Sequence, residues 1–207
     1  MEMKAKAVET DYSCPSIDVI NTAVEIIKKG GLVVIPTETV YGIAGDAFNK
    51  DAVYRVYQVK ERALDRPIPL LLGESHHALK LVEVNELFWR LATRHWPGPL
   101  TIVAKPSPEA PDHLKQWGSI GVRLPDCEIC RAIARRVGGV ITGTSANISG
   151  SPPPKTAVEA MSMLGGSVEL YIDSGPAIFG VPSTVVDITS GKPVIIREGA
   201  IKASDLL

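Results

Sequence analysis

The sequence is short of the features that usually assign a chain quickly. Its 207 residues include three cysteines and only 5% aromatic side chains, and its charges nearly cancel, at a formal net charge of −1. Such a composition argues against broad capture of nucleic acid, which calls for a basic face and stacking platforms. No run approaches the ~20 apolar residues of a membrane span. The N-terminus, Met-Glu-Met-Lys-Ala-Lys-Ala-Val-Glu-Thr, has no apolar segment of the signal-peptide kind. A cytoplasmic protein without membrane association is therefore expected, and Asn147-Ile148-Ser149, formally an N-glycosylation acceptor, loses that meaning in such a compartment.

Familiar catalytic signatures are missing as well. There is no GxxxxGK[ST] loop, no GxGxxG after a strand and no GxSxG elbow. The four histidines, His76, His77, His95 and His113, form no HExxH pair, and no metal site is expected from them. Cys127-Glu128-Ile129-Cys130 is a CxxC at a helix start, where a thiol pKa is lowered. No second CxxC, zinc-type His pair or aromatic-Cys-Gly-Pro-Cys pattern accompanies it, so two ordinary helix cysteines are the simpler reading.

What is present is a patterned α/β chain. Apolar residues at 45% and charged residues at 22% are ordinary for a globular domain of this length. Apolar spacing predicts helices over Ser16–Lys29, Asp51–Lys60, Glu83–His95, Glu128–Val137 and Thr156–Leu164. It predicts strands over Leu32–Ile35, Ile68–Leu72, Leu100–Ala104, Ile120–Arg123, Val140–Thr142, Glu169–Ile172, Thr184–Ile188 and Val194–Arg197. Pro69 would put the second of these at an edge or bulge. The later strands follow one another closely, so the expected fold is a single α/β domain, with a twisted sheet of mixed parallel and antiparallel strands flanked by helices.

Polar and cationic residues gather at the strand ends, where ligands of open α/β sheets tend to bind. Pro36-Thr37-Glu38-Thr39-Val40-Tyr41-Gly42 follows the first strand, and Lys60-Glu61-Arg62 ends a helix, with Arg66 beyond it. Ser145 and Asn147 lie in the loop after Val140–Thr142; Pro182-Ser183-Thr184 and Arg197 come later. Singly, Lys60 and Arg62 would suit a helix C-terminus, and a lone Ser or Thr suits a turn. Arg123 inside an apolar stretch is different, because a buried guanidinium requires an anionic partner. Either a ligand or Glu38 could supply that anion. A cationic, hydroxyl-lined pocket without an obvious general base suits an anionic ligand handled by positioning and charge stabilisation.

The order of these pieces resembles the YrdC-like threonylcarbamoyl-AMP synthases, from about Ile17 to Ile201. The resemblance rests on Pro36–Gly42, the KxR element Lys60-Glu61-Arg62, Pro97-Gly98-Pro99-Leu100-Thr101 and Gly121-Val122-Arg123-Leu124-Pro125. It continues through the SxN element in Thr144–Gly150, Pro182-Ser183-Thr184-Val185-Val186-Asp187 and Arg197-Glu198-Gly199. It implies a YrdC/RibB-like fold over residues 10–203. It implies synthesis of threonylcarbamoyl-AMP and pyrophosphate from L-threonine, bicarbonate and ATP with Mg²⁺, for threonylcarbamoyladenosine in tRNA. Thr39, Arg123, Ser145 and Ser183 would surround threonine. Lys60, Arg62, Arg66, Ser119, Asn147, Lys155 and Arg197 would surround the nucleotide, with Lys60 and Arg62 catalytic and no protein metal ligand. The implied partners are a downstream tRNA threonylcarbamoyl transferase and, through a weak contact, tRNA itself; the implied state is a monomer or weak dimer.

The chain departs from the family pattern at Leu70-Leu71-Leu72, where some relatives carry a threonine-contacting histidine, and at Ala63, where proline is commoner after the KxR arginine. It resembles the short, single-domain form. Two other readings stand beside the synthase: a non-catalytic RNA-binding module of the same fold, and a carbamoyl-adenylate domain like those of larger maturation enzymes.

Overall fold

The computed structural model describes residues 6–206. In chain order, strand β1 (Lys6–Glu9) precedes helix α1 (Ile17–Lys28), strands β2 (Val33–Ile35) and β3 (Gly42–Ala44), and helix α2 (Lys50–Val59). Strand β4 (Leu70–Leu72), helix α3 (Glu86–His95), strand β5 (Leu100–Ala104), helix α4 (Asp112–Lys115), strand β6 (Ile120–Arg123) and helix α5 (Glu128–Val137) follow. Strands β7 (Val140–Thr142) and β8 (Thr144–Ser145), helix α6 (Ala157–Leu164), strands β9 (Leu170–Asp173), β10 (Thr184–Asp187) and β11 (Val194–Arg197), and helix α7 (Ala203–Leu206) complete it.

The strands divide over two mixed sheets rather than one. The first has the order β1-β9-β2-β3-β8 and the second β11-β10-β5-β6-β4-β7. They meet where Asp46 bridges Ile141 and where Thr142 Oγ1 accepts the Gly45 N–H at 2.8 Å. Alternate residues of the short strands serve different cores. Val34, Leu70, Leu72, Val140 and Tyr171 face the larger core with α2, α3 and α6, whereas Val33, Ile35, Leu71, Ile141 and Ile172 face α1 and α5. Burial on both faces explains why β2 and β4 read as unbroken apolar triplets, VVI and LLL, instead of alternating. Helix α1 buries Ile20, Ala23, Val24 and Ile27, one stripe at helical spacing. No helix among the described residues is long and apolar enough to cross a membrane.

Local signals and tertiary pairing disagree at two predicted elements. Pro69 does not make β4 an edge strand: it lies just before the strand, gives its carbonyl to Gly143 N at 2.9 Å, and leaves Leu70–Leu72 paired to β6 and β7. Residues 83–85 are not helical. Glu83 N bonds Lys105 O at 2.8 Å, and Asn85 caps α3 by accepting the Phe88 N–H at 2.9 Å. Ser16 occupies the N-cap of α1, yet its side chain makes no capping hydrogen bond. Strands β1, β3 and β8 have two to four residues each, too few for a periodicity to register.

Close approach of α5 to the end of β4 depends on Gly73. A Cβ there would stand 2.8 Å from the Arg135 backbone nitrogen and 3.2 Å from its Cα. Gly73→Ala should therefore lower stability by about 1–3 kcal/mol through overpacking. A reduced urea midpoint at constant m would register the loss, and an unchanged midpoint would show that α5 yields.

Candidate functional site

Pro36 ends β2 because it has no N–H for the ladder, and the chain then folds over its own side chains. Thr37 Oγ1 accepts the N–H groups of Thr39 and Val40, each at 3.1 Å, and donates to Val40 O at 2.6 Å. A hydroxyl has one proton, so in the 2.7 Å contact between Thr37 Oγ1 and Thr39 Oγ1 it is Thr39 that donates. This leaves Thr39 Oγ1 as an acceptor for Arg123 Nη1 at 3.0 Å. Behind the loop, the buried Cys127 and Cys130 thiols both donate to Pro36 O, at 3.4 and 2.9 Å. They brace the turn from the N-terminus of α5, as two helix cysteines would.

Arg123 ends β6 at 5% exposure. Its Nε donates to Gly98 O at 3.1 Å and its Nη2 lies 2.7 Å from Glu38 Oε1, a carboxylate only 2% exposed. Of the two sequence readings for its anion, Glu38 is thus the partner present. The contact is ionic without being an aligned hydrogen bond, so both Glu38 oxygens and Nη2 retain hydrogen-bonding capacity. Register lines up further groups beside it. Val185 of β10 pairs with Thr101 of β5 and with Arg197 of β11. Thr101 Oγ1 lies 2.8 Å from Ser183 Oγ, and Arg197 Nη2 donates to Ser183 O at 2.7 Å. Arg197 is exposed along its edge strand, but its guanidinium turns back over Ser183; burial of that end, then the charge of Arg123, lower its pKa.

A second group forms where α2 stops. Glu61 adopts φ +50, the Glu61 N–H bonds Gln58 O at 3.1 Å and the Arg62 N–H bonds Tyr57 O at 2.9 Å. This is a Schellman ending with a non-glycine residue in the left-handed position. The reversal separates the two cations of the KxR element. Lys60, 2% exposed, turns inward, where its ammonium donates to Ser145 O, to Asn147 O at 2.7 Å and to Asn147 Oδ1 at 3.4 Å. Arg62 turns to its own loop, donating to Arg66 O at 2.9 Å and Pro67 O at 3.0 Å. Trp117 Nε1 holds the same loop through Leu64 O at 2.6 Å.

The predicted residues therefore fall into neighbouring groups. Thr39, Arg123, Ser183 and Arg197 form one; Lys60, Ser145 and Asn147 form another. The two are joined by β3, which follows the Thr39 loop and pairs Gly42 with Ser145. Asn147 also secures its own loop, donating from Nδ2 to Ile148 O at 2.9 Å and to Ser151 O at 2.6 Å. Arg62 and the exposed Arg66 flank the second group. The exposed Lys155 accepts the Ala177 N–H at its carbonyl, in a segment whose Phe179 N–H also bonds Glu38 O at 2.8 Å. Ser119 stands apart. It stands just before β6 while Arg123 ends that strand, roughly 13 Å away at ~3.3 Å per residue. It lines an open groove of about 590 Å³ with Trp117, Lys105 and Asp187. Thr101 and Trp117 escaped sequence reasoning, because strand register and ring placement leave no local signal. Leu71, at the position where some relatives carry histidine, is buried against Gly143 and packs with Ile141.

Comparison with known proteins gives one consistent result. A family model named Sua5, YciO and YrdC, with the description telomere recombination, matches residues 25–199. A Mycobacterium tuberculosis protein provisionally named threonylcarbamoyl-AMP synthase is 38% identical over 189 residues, covering 88% of this chain and 84% of its own length. The crystal structure of Pyrococcus abyssi Sua5 complexed with L-threonine superposes with a TM-score of 0.91 at 34% identity, covering 96% of this chain. Escherichia coli YciO gives a TM-score of 0.86 at 28% identity, covering 99% of both chains. The chain spans only 58% of the Pyrococcus protein.

Two outcomes are expected. Glu38→Ala leaves Arg123 buried without its anion and should cost about 3–5 kcal/mol in urea unfolding; a loss under about 1 kcal/mol, the range of exposed pairs, would show that water reaches the guanidinium. Burial, and then the charge of Arg62, push the Lys60 pKa down from 10.5 to about 7, whereas its three oxygen acceptors favour the ammonium. Between those two values the unfolded chain holds the proton that the folded chain has released, so this group makes stability rise with pH from about 7 to 10.5 and leaves it flat below. Subtracting the pH–stability curve of Lys60→Met should isolate that rise; a flat difference would mean that Lys60 keeps its proton.

Proposed function

The chain belongs to the Sua5/YciO/YrdC family, and on that premise we propose that it makes L-threonylcarbamoyl-AMP and pyrophosphate from L-threonine, bicarbonate and ATP. The product serves threonylcarbamoyladenosine formation in tRNA through a downstream transferase, a role that carries a cytoplasmic location. The observation that carries the reading is the concentration of cations and hydroxyls on buried, interlocked loops, with Glu38 as the carboxylate among them, already opposed by Arg123.

The chemistry required matches that inventory. The threonine nitrogen forms a bond to carbon to give a carbamate: with carbon dioxide the amine gives up one proton, and with bicarbonate a C–O bond also breaks and the oxygen leaves as water. A carbamate oxygen then bonds the α-phosphorus of ATP, and the bond to the bridging oxygen breaks to release pyrophosphate. The attacking oxygen is already anionic, so the phosphoryl step depends on alignment and charge neutralisation rather than on a strong base. Arginine suits that work because its planar fork binds carboxylate or phosphate with paired hydrogen bonds. We assign threonine to Thr39, Arg123, Ser145 and Ser183, and the nucleotide to Arg62, Arg66, Ser119, Asn147, Lys155 and Arg197, with Lys60 beneath. We assign Mg²⁺ to the nucleotide substrate, because this ion keeps several waters and is held largely by phosphate oxygens. Selection of threonine over serine rests on one methyl group, worth about 1–3 kcal/mol.

Purified protein with Mg²⁺ should release pyrophosphate from ATP only when threonine and bicarbonate are both present, with threonylcarbamoyl-AMP seen by mass spectrometry. Arg62→Ala should cut turnover by about tenfold or more while the fold survives, as loss of a phosphate-neutralising cation does. No threonine-dependent pyrophosphate from a folded wild-type sample would refute the reading. Steep salt-dependent tRNA affinity in that sample, with no ATP-dependent protection from unfolding, would favour the RNA-binding module instead.

A further inference from the structure

Lys60 is bound from both ends to a single segment. Besides the three contacts of its ammonium, its backbone carbonyl accepts the Ser149 N–H at 2.8 Å. An ammonium has three donors and no acceptor, and the Ser145 carbonyl, the Asn147 carbonyl and Asn147 Oδ1 use all three. Lys60 takes part in none of the ion pairs among the described residues. A buried cation whose donors are all taken by one loop has none left for a phosphate.

We propose that Lys60 is a positioning residue, clasping residues 145–149 from beneath so that Ser145 and Asn147 meet their substrates correctly, and that Arg62 alone of the KxR element reaches the nucleotide. The roles of Ser145 and Asn147 rest on the proposed function; the clasp does not.

The segment needs such support because it is nearly without secondary structure. Strand β8 has two residues, so the Asn147 carbonyl has no ladder partner and the Ser145 carbonyl has only the Asn147 N–H, at 3.0 Å within the same turn. A buried carbonyl without a donor costs about 1–3 kcal/mol; the ammonium supplies the donor for Asn147 O and a second donor for Ser145 O. It also fixes the amide of Asn147. With Oδ1 turned to Lys60, Nδ2 is directed at Ile148 O and Ser151 O, which closes the turn. The left-handed Glu61 makes the arrangement compatible with an arginine two residues on, since it sends the two cations in different directions, Arg62 to its own half-exposed loop. Arginine cannot replace Lys60 there, because a planar fork does not converge three donors on one small shell of oxygens.

Hydrogen exchange and steady-state kinetics on Lys60→Met, with Arg62→Ala beside it, test the assignment. In the ligand-free protein, Lys60→Met should speed exchange at the Asn147, Ser149 and Ser151 amides by roughly tenfold or more, leaving the β5 and β6 amides slow. Arg62→Ala should leave the loop amides unchanged. In turnover, Lys60→Met should raise KM for threonine and for ATP together, because one loop serves both; Arg62→Ala should act on the ATP side and on kcat. Unchanged loop exchange in Lys60→Met, or a defect confined to ATP and kcat, would overturn the proposal and return Lys60 to the nucleotide. If Lys60→Met does not fold, Lys60→Gln, which keeps two amide donors on a shorter stem, serves the same comparison. The exchange arm needs no activity, so a wild-type protein without pyrophosphate release would refute the function and still decide the clasp.

Discussion

A guanidinium buried in an apolar strand is the constraint around which the rest of this structure is arranged. Arg123 cannot sit at the end of β6 unless its charge is opposed and its donors are filled. Two separate parts of the chain meet that demand: the turn after β2 through Glu38 and Thr39, and the loop before β5 through Gly98. Each is then held by something further back, the first by Thr37 and two buried thiols, the second by Gly98 N on Leu124 O. The pair at Glu38 and Arg123 adds little net stability compared with an apolar replacement. What it does is make the convergence of two loops on β6 compulsory, because each loop supplies a group that Arg123 cannot do without.

The two cations of Lys60-Glu61-Arg62 show how backbone conformation divides chemically similar side chains. Had α2 continued through Arg62, Lys60 and Arg62 would lie about 200° apart on one helix, both tied to its axis. The left-handed Glu61 instead ends the helix and folds the chain back. Lysine then meets a shell of carbonyl oxygens under the Ser145–Asn147 loop, and arginine meets the edge of its own loop. Burial, and then the charge of Arg62, lower the lysine pKa to about 7, while the surrounding oxygens favour the ammonium. The arginine stays charged and half-exposed, which suits contact with a polyanion.

Much of the architecture was legible along the chain. β5, β6, β7, β11 and α5 run over the predicted residues, because each is a compact apolar segment closed by a clear polar or Gly/Pro boundary. The candidate site was legible as a set of motifs in order, and Arg123 as a buried charge in need of a partner. Less was visible where pairing is long-range. β3 and β8 are too short to carry a pattern, yet they join the Thr39 turn to Ser145. Pro69 looked like an edge marker and proved to stand outside a fully paired strand. Thr101 looked like an ordinary strand threonine until register put it beside Ser183.

The sequence by itself determined the longer helices and most of the strands, that the strands would be mixed in direction, and that a buried arginine would need an anion. These follow from propensity, apolar period and the cost of burying charge, all of which act within a few residues or depend on residue type alone. Only the tertiary structure decided that the strands form two sheets, that Glu38 is the anion, and that Lys60 and Arg62 face different surroundings. Those outcomes depend on which carbonyls, hydroxyls and carboxylates arrive from 25 to 85 residues away, a matter of strand order and register for which a local stretch of chain carries no mark.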